Sequence, residues 1–192
     1  MVTNGVTAKS VVFDFGGVLF NWRPADLLRS LFPQHAPDAD TAQALVKTIF
    51  QDLTLDADWA ALDGADAIIF GSPTYMGMAS WQFKKFADAS SKRWFSGAWK
   101  DKVAGGFTIS ASPSGDKLST LQYFITLSMQ QGMIWVGQPA MNDGTTNRIG
   151  SNSGVMAQVG PTSPAADIPQ GDLDTAKTYG ERVAQVAAKL HA

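Results

Sequence analysis

The sequence predicts an α/β fold in which helices cover a doubly wound parallel sheet of five strands. Two observations predict it. Along the 192 residues, short apolar runs bounded by glycine alternate with segments of helical spacing. Apart from Asp14 in the first of them, the apolar runs lack internal charge, which is typical of strands buried on both faces. Hydrophobic residues make up 45% of the chain, which is enough to give a single domain of this length a stable core.

The predicted elements follow in chain order. The strands are 11–15, 67–71, 103–109, 133–137 and 155–159. The helices are 24–31, 80–91, 118–129 and 176–190, the last with Asp172 or Asp174 available as its N-cap. A further strand expected before residue 63 stays open, because 45–50 fits a strand and 40–50 fits a helix equally well. The stretch 137–172 is rich in Gly, Pro, Ser and Asn and predicts long loops.

Composition excludes several classes of function. The net charge of −2 does not favour a nucleic-acid binder, which needs a basic surface. The absence of cysteine excludes disulfides and thiolate sites, and two histidines are too few for a multi-histidine metal site. We find no secretory signal and no apolar run near the ~20 residues of a membrane helix. We therefore expect a soluble cytoplasmic protein.

Two loops are candidates for a ligand site, because ligands of open α/β sheets bind beyond the carboxyl ends of the strands. They are 72–78, after the second predicted strand, and 110–116, after the third. Both are rich in small hydroxyl residues, and the first adds Tyr75 and Met76. This mixture suits a flat ring with a polar edge, such as a flavin or a nucleobase. Ordinary surface turns explain the composition at least as well.

Five collinear segments carry a resemblance to a known family. They are Asp66 to Gly77, which includes Pro73-Thr74-Tyr75-Met76-Gly77, then Trp81 to Asp88, Trp99 to Ala104, Gln131 to Val136, and the closing helix. Over residues 59–190 the chain resembles the flavodoxin-like NAD(P)H:quinone oxidoreductases, also called tryptophan-repressor-binding proteins. The resemblance implies a flavodoxin-like fold, non-covalent FMN, NAD(P)H as co-substrate and a quinone-like acceptor. It also implies a homo-oligomer of two or four copies that completes the site across an interface.

The same resemblance implies which residues contact the flavin. In the first loop they are Pro73, Thr74, Tyr75, Met76 and Gly77; in the second they are Ser110, Ala111, Ser112, Pro113, Ser114 and Gly115. Many relatives place a histidine near the ring where Gln131 stands here. Glutamine can form a hydrogen bond there but cannot donate a proton as histidine does.

The opening, residues 9–50, resembles a different family. Its run Val11-Val12-Phe13-Asp14-Phe15-Gly16-Gly17 is similar to the start of the haloacid-dehalogenase-like hydrolases, whose first aspartate forms a covalent intermediate beside Mg²⁺. Asp14 stands at that place, but Gly16 replaces the usual second carboxylate. We predict one domain over 1–192, with a disordered tail at 1–8, the hydrolase-like opening at 9–50 and the flavodoxin-like body at 59–192.

The opening predicts weakened FMN binding. The amides of Gly16 and Gly17 are placed to cradle a phosphate, but Asp14 would repel its charge. Two other functions stay open: a cofactor-free module of this fold, and a Mg²⁺-dependent phosphohydrolase that uses Asp14. Tyr75 and Met76 also suit a hydrophobic lid or an oligomer contact, and Asp116 suits a helix-capping carboxylate.

Overall fold

The computed structural model describes residues 10–14, 37–41 and 55–190. In chain order the elements are β1 (Ser10–Asp14), α1 (Leu55–Asp63), β2 (Ala67–Tyr75), β3 (Met78–Ala79), α2 (Trp81–Ala89), α3 (Ser91–Ser96), β4 (Val103–Ser110), α4 (Lys117–Gln130), β5 (Ile134–Trp135), β6 (Val155–Gln158) and α5 (Gln170–Leu190). The predicted helix 24–31, the open segment 45–50, the tail 1–8, Gly16 and Gly17 lie outside the described residues. None of the described helices is both long and apolar enough to cross a membrane.

The sheet contains all five predicted strands, in parallel and in the order β1-β2-β4-β5, with β6 also on β4. Both β5 and β6 lie on the edge of β4 that β2 leaves open. Val103 at the start of β4 pairs with Ile134, and Phe107 further along pairs with Val155. The fourth and fifth predicted strands are therefore two halves of one edge strand, separated by the long loop 136–154.

Strand β2 is longer than the sequence predicts. We expected it to end at residue 71, but its pairing with β4 continues to Pro73, and Tyr75 then pairs with Met78 of β3 in a hairpin. The two residues between them, Met76 (φ 49°) and Gly77 (φ 80°), both have the positive φ of a type I′ turn. The first predicted loop is thus a strand end with a two-residue turn at its tip.

Helices cover both faces of the sheet, as a doubly wound fold requires. Alternate residues of β2 face opposite sides: Ile68 and Phe70 join a cluster with α1, α2 and α4, whereas Ala67 and Ile69 face α5. The first cluster is aromatic, and Phe83 and Phe124 lie 4.5 Å apart between ring centroids. The two layers fix the ends of the strands, where the candidate site lies.

One hydrogen-bonded tyrosine links α5 to the sheet. The Tyr179 hydroxyl donates to the Val136 carbonyl (2.6 Å) and accepts from the Gly106 amide (3.1 Å). Burial raises the pKa of Tyr179 to about 12, from an ordinary 10.0. Because the folded protein favours the neutral phenol, its contribution to stability is complete below pH 10.0 and is lost as the pH rises through about 12.

We expect Tyr179→Phe to lower the free energy of unfolding by about 1–3 kcal/mol at pH 8, because it leaves the Gly106 amide and the Val136 carbonyl unpaired. The difference between wild type and variant should shrink as the pH passes from 10.0 to about 12. Urea unfolding of both proteins across that range measures it. A difference that stays constant with pH would contradict the assignment.

Candidate functional site

The two predicted loops leave neighbouring strands at the same edge of the sheet. Pro73 of β2 is paired with Ile109 of β4, and Asp14 at the end of β1 is paired with Gly71. Adjacent strands lie about 4.8 Å apart. The residues at 73–77 and 110–116 therefore flank one position at the carboxyl edge, and the end of β1 lies one strand further away.

A buried cluster of threonine hydroxyls fastens this edge. Thr74 Oγ1 pairs with Thr108 Oγ1 (2.8 Å) and with Thr120 Oγ1 (2.7 Å), which joins β2, β4 and α4. All three threonines are buried. The Thr74 hydroxyl is thus occupied inside the protein, whereas Tyr75 and Met76 next to it are exposed, Met76 to 91%.

The turn 110–116, called the donor turn below, directs its carbonyls inward. Three successive carbonyls accept hydrogen bonds: Ser110 from Val159 N (3.3 Å), Ala111 from Gln158 Nε2 (3.1 Å) and Ser112 from Lys117 Nζ (2.6 Å). In a trans peptide the following N–H points the opposite way, which directs the N–H groups of Ala111 and Ser112 away from these contacts; Pro113, which follows the third carbonyl, has no N–H. Among the described residues, no amide from Ala111 to Asp116 donates to a protein acceptor. The donor turn therefore offers free N–H groups to a ligand.

Backbone geometry and close packing at position 115 favour glycine. Gly115 (φ 54°) and Asp116 (φ 53°) both have positive φ, and Lys117 N closes the turn onto Ser114 O at 3.1 Å. A Cβ on Gly115 would lie 2.2 Å from Ser110 Oγ. The predicted helix cap is wrong in its contact, since the Asp116 side chain makes no capping hydrogen bond to α4.

Sequence reasoning missed Lys117, which lies directly behind the donor turn. Its side chain is wholly buried, and Nζ donates to Ser110 Oγ (3.0 Å) and to Ser112 O. Burial lowers the pKa of Lys117, the charge of Arg148 lowers it further, and Asp172 opposes both. An Asp-Lys pair at a helix start normally lies in solvent, so the only signal was that this stretch carries no other charge.

A buried ion pair supports the donor turn from the other side. Arg148 Nε and Nη2 each donate to the Asp172 carboxylate at 2.7 Å, and Asp172 Oδ2 also accepts from Gln158 N. Gln158 in turn binds the Ala111 carbonyl. The predicted N-cap role of Asp172 is wrong: Asp172 lies in the first turn of α5, which begins at Gln170, and it binds Arg148.

A cleft of about 710 Å³ adjoins the donor turn on the side of β6. Its walls include Ser114, Ser119, Arg148, Asn152 and Met156. Clefts of this volume accommodate small-molecule ligands. The donor turn therefore separates this cleft from the hairpin at 73–77.

Gln131 lies far from the two turns within one chain. It caps the far end of α4, whose 14 residues span roughly 21 Å. Its Nε2 donates to Ser90 Oγ at 2.8 Å, and its buried Oε1 has no partner among the described residues. It lines a second cleft, of about 380 Å³, with Trp94 and Tyr123. Within one chain, Gln131 therefore does not lie beside the flavin position predicted between the two turns.

The described residues fit a flavin at the carboxyl edge. The pyrimidine edge of a flavin carries carbonyl oxygens and ring nitrogens that accept hydrogen bonds, and the donor turn offers the complementary N–H groups. The space beside Gly77 is open, with no atom within 4 Å of a Cβ built there. Tyr75 and Met76 supply apolar surface for the ring face.

The hydrolase prediction concerned Asp14. Backbone pairing confirms that residues 10–14 form the strand beside β2, which puts Asp14 at the carboxyl edge. In the described part of the chain, no three histidine, aspartate or glutamate side chains come together as a metal site. The pairing of β1 with β2 shows that residues 10–14 of the opening join the sheet of the body.

The chain is similar to known flavoproteins and quinone reductases. A model of the NADPH-dependent FMN reductase family matches residues 29–147, more than half of the chain. Flavodoxin FldP of Pseudomonas aeruginosa (strain UCBPP-PA14) is 45% identical over 162 residues, which cover 80% of this chain and 88% of that protein. An NAD(P)H dehydrogenase (quinone) of Geobacter sulfurreducens is 39% identical over 133 residues, which cover 68% of this chain and 66% of that protein.

A solved structure of a similar protein supports the same family. The crystal structure of a flavodoxin, a WrbA-like protein from Agrobacterium tumefaciens, has 54% sequence identity and a TM-score of 0.56 over 70% of this chain and 73% of that one. The predicted flavodoxin-like fold is confirmed. The family match begins at residue 29, inside the opening that we compared with hydrolases, and these comparisons give the hydrolase resemblance no support. By these matches the chain is a member of the NADPH-dependent FMN reductase family.

Proposed function

We propose that the chain is an FMN-dependent oxidoreductase that passes electrons from NAD(P)H to a quinone-like acceptor. The observation that carries this proposal is the donor turn: the carbonyls of Ser110, Ala111 and Ser112 accept hydrogen bonds from the protein, while among the described residues its amides have no protein acceptor and stay free at the carboxyl edge. The family model and a relative named as an NAD(P)H dehydrogenase (quinone) support the same activity. We also propose a cytoplasmic location, where NAD(P)H is available.

The protein holds and orients the cofactor, and bound FMN supplies the two-electron chemistry. The free amides of the donor turn would bind the polar edge of the ring, and Tyr75, Met76 and Gly77 would flank its face. The same N–H groups, fixed in place by the fold, would favour negative charge on the ring. The threonine cluster beneath β2 and β4 keeps the two walls at a constant separation.

The activity test uses purified protein incubated with FMN. We expect saturable oxidation of NAD(P)H that requires both FMN and a benzoquinone acceptor. Protein that binds FMN but does not oxidise NAD(P)H would contradict the proposed reaction. Folded protein that gains no thermal stability from FMN would instead support the alternative of a cofactor-free module, because any ligand of the folded state raises the unfolding temperature.

We propose that FMN binding is weaker here than in relatives with the usual phosphate-binding loop. Asp14 stands at the end of β1, at the edge that also carries the predicted phosphate loop. A carboxylate near a phosphate dianion opposes binding. Gly16 and Gly17, which lie outside the described residues, remain the predicted phosphate contacts.

A comparison of FMN with riboflavin tests this point. If the phosphate contributes little, the two dissociation constants should differ by less than about tenfold, equal to ~1.4 kcal/mol. Asp14→Asn should then tighten FMN binding and leave riboflavin binding unchanged. Titration by quenching of flavin fluorescence measures both ligands. A far larger preference for FMN would show that the phosphate is well bound.

We further propose that the site is completed by a second copy of the chain, as the family resemblance implies. Gln131 and Trp94 share a cleft about one helix length from the donor turn of their own chain, and Phe95 beside them is 86% exposed. In an oligomer this cleft is available to the flavin of a neighbouring copy.

Light scattering of the purified protein tests the oligomer proposal. We expect two or four times the chain mass, and Phe95→Ser should reduce it if α3 lies in the interface. A monomer with full FMN affinity would contradict the shared site.

A further inference from the structure

The charge of Lys117 lies in an unusual environment. It is the first residue of α4, its side chain is wholly buried, and among the described residues no carboxylate lies within ion-pair distance of it. A helix N-terminus carries positive partial charge and disfavours a cation. Burial of an ammonium is costly, and its two recorded acceptors are both neutral oxygens. A buried charge with such a free-energy cost is a candidate for a functional role.

Both acceptors belong to the donor turn. Lys117 Nζ lies 2.6 Å from Ser112 O and 3.0 Å from Ser110 Oγ. The hydrogen bond to Ser112 O holds one of the three carbonyls that point inward. The peptide that follows Ser112 O has no N–H, because the next residue is Pro113. Lys117 acts instead by fixing Ser110 and Ser112, the residues on either side of Ala111, and so holds the Ala111 and Ser112 amides in place.

The charges around Lys117 leave a positive surplus. Arg148 and Asp172 neutralise each other through two hydrogen bonds of 2.7 Å. Asp116 is exposed to solvent, so water screens its charge. One buried positive charge therefore remains behind the donor turn.

We propose that Lys117 is a positioning residue that holds the donor turn in its outward-amide form and, through its charge, favours the reduced state of bound FMN. This inference rests on the proposed function. Transfer of a hydride from NAD(P)H forms NAD(P)⁺ and adds one negative charge to the flavin ring. A fixed positive charge behind the turn stabilises that added charge more than it stabilises the neutral oxidised ring.

Two substitutions separate the two parts of this role. Lys117→Gln removes the charge but keeps an N–H donor for Ser112 O, whereas Lys117→Met removes both. Lys189→Gln is the matched control, since Lys189 is exposed in the last turn of α5 and its loss changes the net charge equally. Thermal unfolding without FMN shows that each variant is folded.

The measurements are the dissociation constant of oxidised FMN and the midpoint potential of the bound flavin. We expect Lys117→Gln to keep its affinity for oxidised FMN within about threefold and to lose about tenfold in affinity for reduced FMN, a drop of about 30 mV in potential for a two-electron couple. Lys117→Met should lower the midpoint potential by a similar amount and should also weaken the binding of oxidised FMN. Lys189→Gln should change neither quantity.

Equal potentials in wild type and Lys117→Gln, with FMN bound to both, would overturn this inference alone. If Lys117→Gln does not fold, Lys117→Met gives the same reading of the potential. A wild-type chain that binds no FMN would overturn the proposed function and this inference with it. Normal affinity for oxidised FMN in Lys117→Met would overturn the positioning part.

Discussion

Replacement of Gly115 by alanine is expected to reduce FMN affinity by at least about tenfold, equal to ~1.4 kcal/mol. The positive φ of 54° costs an alanine roughly 1–2 kcal/mol. The new Cβ would also lie 2.2 Å from Ser110 Oγ, so that side chain must move. Ser110 Oγ is one of the two acceptors of Lys117, and its displacement disturbs the contact that orders the donor turn.

The matched control is Gly144→Ala. Gly144 also has a positive φ (88°), but no atom lies within 4 Å of its Cβ position. Both variants therefore carry backbone strain, and only Gly115→Ala disturbs the donor turn. Titration with FMN should separate them, with near wild-type affinity in Gly144→Ala. Equal affinities in all three proteins would show that the donor turn does not contact the flavin.

Asp172→Asn is expected to cause the largest loss of stability, about 3–5 kcal/mol. The Asp172 side chain is only 2% exposed and binds Arg148 through both of its oxygens. Without the carboxylate, the charges of Arg148 and the buried Lys117 have no counter-charge nearby. For a chain of this size the unfolding temperature should fall by roughly 6–20 °C.

The control for Asp172→Asn is Asp88→Asn, which breaks the Lys84–Asp88 ion pair. That pair is highly exposed, with 52% and 67% of the two side chains accessible to solvent, so its loss should not change stability measurably. Thermal and urea unfolding of both variants measures the contrast. A loss in Asp172→Asn as small as in Asp88→Asn would mean that the buried pair is not formed in solution.

The order of the parallel strands along the chain could be predicted from sequence because the signals are local, whereas α1, β3 and α3 were not predicted. Short apolar runs beside glycines predicted each parallel strand, and a helical stripe predicted α4. The end of β2 was missed, since Pro73 and the hydroxyl residues beside it resemble a loop. Only the pairing with β4 and the hairpin to Met78 extend the strand to Tyr75.

The position of Gln131 could have been predicted better. A helix of 14 residues crosses the sheet, so its two ends must lie at opposite edges. Gln131 follows that helix and the donor turn precedes it, which separates them within one chain. The length of the predicted helix 118–129 is enough to predict this separation.

The polar contacts behind the donor turn could not be predicted. Arg148 and Asp172 are 24 positions apart, and their meeting depends on the path of the loop between β5 and β6. Lys117 looks like an exposed residue in sequence, yet its side chain is buried and bound to Ser110 and Ser112. Local pattern carries no information about such long-range contacts.

The central claim is that the hairpin at 73–77 and the donor turn hold a flavin between them. A crystal structure of the chain with bound FMN tests it most directly. We predict that the ring lies between Tyr75 to Gly77 and the donor turn, with ring oxygens or nitrogens within about 3.2 Å of amides from Ala111 to Asp116. A flavin found elsewhere, for example in the cleft beside Arg148 and Asn152, with those amides still facing solvent, would contradict it.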